Sequence, residues 1–367
     1  MNKDKTFKRL ELLFNDSIRV GIYLPTQGLG RHIFYRNIFR MYRRLQKSET
    51  DDRQVDLIIY IGKRFFQKIS RDKFHGGFFC NRSYIRAQYR WKTIRAEVEV
   101  LDAESIPMVV SIKTNLLGKL VFPTVIINSL IGLHSNRKKV CLIHGSSIGS
   151  RGNAVLLVGM GSTGKTSLVV RSSRENFCLI ADDGTFLGKN KVYGFPRPIN
   201  LEYYHKRMLH FRIAWNKRME FFLKRILSFI TNRYITLLTD IEEEKFFQKR
   251  IEWVAELKAL FYLSKGDTFV LSEVFDKNSI ADKIVESTKS IQQFSVWLGR
   301  CYASYAPDSY LARHWSELKK NLQDYINEVP CYKVQTPDVV TNDMYRWILQ
   351  KVKEVLLDIG TIREKEK

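Results

Sequence analysis

"NAVLLVGMGSTGKTSLVVRSSRENFCLIADDGT", residues 153–185, decides how the chain folds. A continuous apolar run, 154–158, ends in a Gly-rich loop, and the next apolar run, 177–181, ends in two carboxylates. Short apolar runs bounded by turn residues read as buried strands, and the stretch "KTSLVVRSS" between them has helical spacing. Strand, loop, helix and strand in that order make one unit of an α/β layer, with the loop at the mouth of the sheet.

The loop itself, Gly159-Met160-Gly161-Ser162-Thr163-Gly164-Lys165-Thr166, fits G-x-x-x-x-G-K-[ST] at every defined position. Glycines let successive backbone N–H groups turn inward and approach phosphate oxygens, and the following helix adds its positive N-terminal end. Gly159, Gly161, Ser162, Thr163, Gly164, Lys165, Thr166 and Ser167 are therefore the expected nucleotide-binding residues. Lys165 would neutralise the β- and γ-phosphates of ATP, and the Thr166 hydroxyl would ligate Mg²⁺. Asp182 and Asp183 close a strand one helix later, at the edge where ligands of open α/β sheets bind. Two adjacent carboxylates there can divide the work, one holding the metal and one accepting a proton. His144, in "LIHGSS", ends the strand before the loop and joins the candidate site by position. Arg197, in "FPRPI", sits between two prolines that stiffen the backbone and would aim its cation at phosphate.

Outward from this unit the chain divides into three expected parts. Residues 1–135 carry strand-like runs and one basic amphipathic stretch, and read as an N-terminal α+β domain with a mostly antiparallel sheet. Residues 136–310 hold the phosphate-loop core, interrupted at 201–258 by a basic helical insertion dense in aromatics. The strand "ALFYLSKGD" (259–267) is expected to return to the core, and 311–367 reads as C-terminal helices.

With 367 residues the chain can bury more than one core. Its five cysteines are scattered without zinc-type spacing, which fits a reducing cytosol, and a cytoplasmic location is expected. The start lacks a signal-peptide apolar stretch, and no run approaches the roughly 20 apolar residues of a membrane span. The formal net charge of +23 is the unusual bulk property, and the excess of Lys and Arg lies in the first two thirds. It implies attraction to a polyanion, RNA or an anionic membrane surface, through residues 31–47 and 203–233. The alternative is that the aromatics of those stretches form buried stripes of amphipathic helices.

The order "IHGSS", "LLVGMGSTGKTSLV", "LIADD", "FPRPI" and "ALFYLSKGD" resembles the HPr kinase/phosphorylase family, and more closely its divergent HPr-kinase-like relatives. The resemblance covers 140–200 well and 259–290 loosely. It implies a phosphoenolpyruvate-carboxykinase-like core that transfers the ATP γ-phosphate to a hydroxyl, in the founding family the serine of a small carrier protein. Carried residue by residue, it implies the phosphate loop at Gly164, Lys165 and Thr166, the catalytic acid/base at Asp182, the metal-side acid at Asp183, and at His144 the histidine near the transferred phosphate. The second signature stretch of the true HPr kinases is not found, so HPr is not the expected acceptor. A hydroxyl-bearing peptide, protein or small molecule is, and a homo-oligomer is among the expected assemblies. Two other classes fit the same features: an RNA or polynucleotide kinase, and a nucleotide-gated binding module without catalysis.

Overall fold

The computed structural model describes residues 7–14, 18–26, 38, 42, 55–62, 78–81, 84–91, 94–101, 103–115, 118–195, 199–201, 219, 222, 239–241, 244–248 and 250–364. The molecule is mixed α/β, with two mixed sheets among the described residues. Contacts divide it into two compact units, 1–142 with 288–321, and 143–287 with 322–367. Residues 288–321, which the sequence reading splits between core and C-terminal helices, thus group with the first unit.

The first sheet uses β1 (Phe7–Phe14), β2 (Ile18–Pro25), β3 (Leu57–Ile61), β4 (Phe78–Asn81), β5 (Tyr84–Trp91), β6 (Ile94–Leu101) and β7 (Met108–Thr114), in the order β1-β2-β3-β7-β6-β5-β4. Its two outer parts are antiparallel, as expected, but β3 pairs parallel with both β2 and β7. Parallel neighbours need a crossover connection, and the one from β2 to β3 runs through the basic stretch 31–47. Of that stretch only Ile38 and Tyr42 belong to the described residues, and both are helical and fully buried. Tyr42 meets Phe14 edge-on at 5.9 Å. Its hydroxyl donates to Asn128 Oδ1 at 2.6 Å, on α1 (Gly118–Arg137).

The second sheet is built from β8 (Cys141–Ile143), β9 (Gly145–Ser150), β10 (Asn153–Gly159), then, after α2 (Lys165–Ser172), β11 (Cys178–Ala181), β12 (Thr185–Gly188) and β13 (Lys191–Gly194). A short ribbon of β14 (Ile199–Leu201) and β15 (Thr239–Ile241) and a turn of helix, α3 (Glu244–Phe247), lead to β16 (Val254–Lys265) and β17 (Val270–Glu273). Helices α4 (Lys277–Ile291), α5 (Gln293–Ala303) and α6 (Tyr310–Ile326), strand β18 (Cys331–Thr336) and helix α7 (Asn342–Glu364) complete the chain. The sheet order is β11-β9-β10-β16-β13-β12-β8, with β18 pairing β16 and β17.

Three expectations are corrected here. The strand expected to end at His144 and lead to the loop is followed at once by another: β8 stops at Ile143, the chain bends at His144, and β9 starts at Gly145 in a separate position in the sheet. β9 and β10 form a hairpin, closed by Arg151 and Gly152 at positive φ, the geometry that matches strand twist in a two-residue turn. The returning strand begins at Val254 rather than 259; the charges of Glu256 and Lys258 break the apolar run in the sequence, while Ala255 and Leu257 are buried with strand alternation. The end of the expected 201–258 insertion is accordingly partly strand, with 239–241 pairing 199–201. Most of 203–233 lies outside the described residues; Met219 and Phe222 are helical and exposed.

β10 runs parallel to β16, and β16 parallel to β18. Strands buried on both faces read as near-continuous apolar runs, which is why "AVLLV" and "ALFYL" are legible. The core over this sheet joins Val155, Leu157 and Phe261 to Leu168 and Val169 of α2 and to Ile348 and Val352 of α7. Among the described residues no helix is long and apolar enough to cross a membrane.

Candidate functional site

Topology brings the site together. β9 is antiparallel to both β10 and β11, so β10 and β11 point the same way. Their C-terminal ends, Gly159 and Ala181, reach the same edge of the sheet, and β9 starts there, immediately after His144. One edge therefore collects the histidine, the Gly-rich loop and both aspartates.

The loop has the conformation that its glycines allow. Gly164 is left-handed, with φ 95, and its carbonyl accepts from Leu168 N–H at 3.0 Å to open α2. A Cβ on Gly159, at φ 152, would stand 2.3 Å from the Leu263 carbonyl oxygen, so only glycine fits between β10 and β16. Met160, Gly161 and Ser162 are exposed at the rim, and Thr163 Oγ1 donates to the Met160 carbonyl at 2.9 Å. Ser167 is buried on α2.

Lys165 folds back over the loop, its Nζ donating to the carbonyls of Gly159 and Met160, both at 2.8 Å. Burial removes hydration from the ammonium and pulls its pKa down to about 8, against the opposing pull of the Asp183 and Asp182 carboxylates.

Asp182 is 1% exposed and accepts three contacts from two hydroxyls. Ser146 Oγ donates to Oδ1 at 2.7 Å, and Thr166 Oγ1 lies 3.3 and 3.2 Å from Oδ1 and Oδ2. Burial pushes its pKa up to about 6, with the Asp183 charge adding to the rise and Ser146, Thr166 and Lys165 opposing it. The Thr166 to Asp182 spacing is near the ~3 Å edge of an octahedron with bonds of about 2.0–2.1 Å, so this pair suits two adjacent ligands of Mg²⁺. No cluster of three or more His, Cys, Asp or Glu suited to a metal occurs among the described residues.

Asp183 differs in every respect. It is left-handed, with φ 62, its side chain is 30% exposed, and Oδ1 lies 3.4 Å from Nε2 of His144. Its backbone N–H donates weakly to Ser146 Oγ at 3.4 Å, so Ser146 touches both aspartates. On the other side of the His144 ring, Nδ1 is 2.8 Å from Ser287 Oγ, on α4.

No protein-family model matches the chain, and no curated protein matches it. Among solved structures it is similar to the Hpr(Ser) kinase/phosphatase from Coxiella burnetii, at 10% sequence identity and a TM-score of 0.29. That likeness covers 61% of this chain and 96% of the other. With a TM-score so low, the site stands on its own residues.

Of the residues expected from the sequence, His144, the loop from Gly159 to Ser167, Asp182 and Asp183 converge. Arg197 lies outside the described residues. Two members had not been expected. Ser146 is the second residue of β9, two positions after the bend at His144, and its hydroxyl reaches Asp182. Ser287 is 143 residues from His144, and no local pattern points to it.

Proposed function

We propose that the chain is a Mg²⁺-dependent kinase that moves the γ-phosphate of ATP to a hydroxyl, carried by a serine-type side chain of a peptide or protein or by a small molecule. The observation that carries this reading is the contact of Thr166, at the head of the phosphate loop's helix, with buried Asp182, while Asp183 stands beside it at the open edge. Phosphoryl transfer asks a protein mainly for positioning and charge stabilisation, which so few residues can supply.

Each residue then has a task. The loop's backbone N–H groups and Lys165 hold the phosphates, and Thr166 with Asp182 holds the metal side. Mg²⁺ bound there would supply neutralisation of phosphate charge. Asp182 is too buried, and too occupied by Ser146 and Thr166, to meet an acceptor. Asp183 is only half-buried, with its side chain 30% exposed, and faces His144, so we assign it the proton of the acceptor hydroxyl, exchanging the two roles that the family resemblance implies. Arg197 keeps its expected part, a cation for the charge developing on the transferring group.

Transfer of label from γ-labelled ATP with Mg²⁺ into extract of the natural source, fractionated into peptides and proteins, nucleic acids and metabolites, tests the reading. Label should enter one hydroxyl-bearing fraction with the wild-type chain and not with Asp183→Asn. Label confined to nucleic acid would make the chain a polynucleotide kinase. Tight Mg·ATP binding with no label moved would make it a nucleotide-gated module and overturn the proposal.

A further inference from the structure

The carbonyl of Gly159 receives two donors. One is Lys165 Nζ, and the other is Ser287 Oγ at 2.9 Å, from a side chain on α4 that is 1% exposed. The same hydroxyl lies 2.8 Å from His144 Nδ1. A hydroxyl has a single proton, and a carbonyl oxygen can only accept. Ser287 gives that proton to Gly159, so toward the imidazole it accepts, and Nδ1 must be the donor. In a neutral ring this leaves the lone pair on Nε2, the atom 3.4 Å from Asp183 Oδ1.

We propose that Ser287 is a positioning residue of this site, which fixes neutral His144 in its Nδ1–H form, directs Nε2 at Asp183 and ties the ring to the first glycine of the phosphate loop. The chemistry runs against the ring's local preference. Facing a carboxylate, an imidazole left to itself puts its proton on the nearer nitrogen, Nε2, where it can donate. Ser287 reverses that choice because a buried Nδ1 without a proton would meet a hydroxyl whose own proton is already committed. His144 thereby presents Asp183 with an acceptor atom rather than a donor. The kinase reading gives this arrangement a use, but the arrangement itself needs neither nucleotide nor acceptor.

The test is the ring's tautomer in the ligand-free full-length chain, labelled with ¹⁵N at histidine and read from long-range ¹⁵N–¹H correlations at a pH where the ring is neutral. His144 is assigned among the seven histidines by the signal lost in His144→Gln. Wild type should show the proton on Nδ1. Ser287→Ala should move it to Nε2, and Ser287→Thr, which keeps the hydroxyl, should return it to Nδ1. Wild type with the proton on Nε2 overturns the proposal even if the Ala variant does not fold, and so does an Ala variant that keeps the wild-type pattern. A kinase that fails this test remains a kinase, and a chain that passes it without phosphotransfer loses only the proposed function.

Discussion

Replacing Asp182 by Asn should stabilise the ligand-free protein, and by an amount that depends on pH. The carboxyl is fully buried, and its pKa rises from 3.8 to about 6. Between those values the folded chain keeps a proton that the unfolded chain has released, so stability falls as pH rises through this window. Above pH 6 the full penalty applies, about 3 kcal/mol at 1.36 kcal/mol per pKa unit. Asn has the same shape, carries no charge, accepts from Ser146 through its oxygen and faces the Thr166 hydroxyl with its amide. The variant should therefore gain up to about 3 kcal/mol at pH 7.5 and almost nothing near pH 4. With m-values of about 2–3 kcal/mol per molar urea, that moves the unfolding midpoint by about 1 M at the higher pH only. Mg·ATP should narrow the gap, since a bound cation favours the charged carboxylate. An Asn variant less stable than wild type at pH 7.5, or equally favoured at both pH values, would refute the burial argument.

Gly159→Ala should lower stability by about 2–4 kcal/mol and abolish nucleotide binding, because the added Cβ would collide with the Leu263 carbonyl oxygen at 2.3 Å; unchanged thermal unfolding would mean that β10 and β16 are not so closely apposed. Calorimetry in buffers of different ionisation heat should find proton uptake on Mg·ATP binding at pH 8.5, as phosphate restores the charge of Lys165 from a pKa of about 8, and proton release near pH 6, as Mg²⁺ displaces the proton of Asp182. The same sign at both pH values would exclude that pair of sources. Phe261→Ala should cost about 3–5 kcal/mol in equilibrium unfolding, because the ring is fully buried in β16 and stacked 5.0 Å from Tyr332; a loss under about 1 kcal/mol would remove β16 from the centre of the sheet.

The Gly-rich loop was legible because its motif constrains every defined position: glycines for the backbone, Lys165 and Thr166 for a charge and a hydroxyl. The aspartate pair was legible because an apolar run ended in it. Less visible was the strand β9, whose sequence "GSSIGS" has a single large apolar residue and becomes a strand only between β10 and β11. β18 was missed for a related reason, since "CYKVQT" alternates weakly and lies among helices, yet it pairs with β16 along six residues. Ser287 escaped entirely, because its part in the site depends on α4 returning to the loop after more than a hundred residues. The division of work proposed for Asp182 and Asp183 could not be read from neighbours in sequence. It follows from a difference in burial that only the folded chain creates.

The β9–β10 hairpin also bears on how this protein can tolerate change. From the bend at His144 to the turn at Arg151 the strand has six residues, each end fixed by the sheet on one side and by the site on the other. An added residue would turn Ser146 away from the aspartates and shift His144 past Asp183 in the same stroke, because side-chain direction alternates along a strand. Length variation should accordingly be absorbed at the Lys189–Asn190 turn, outside the chemistry, while the span from 144 to 183 behaves as an indivisible cassette. A graft of this site into another sheet would have to carry that whole span.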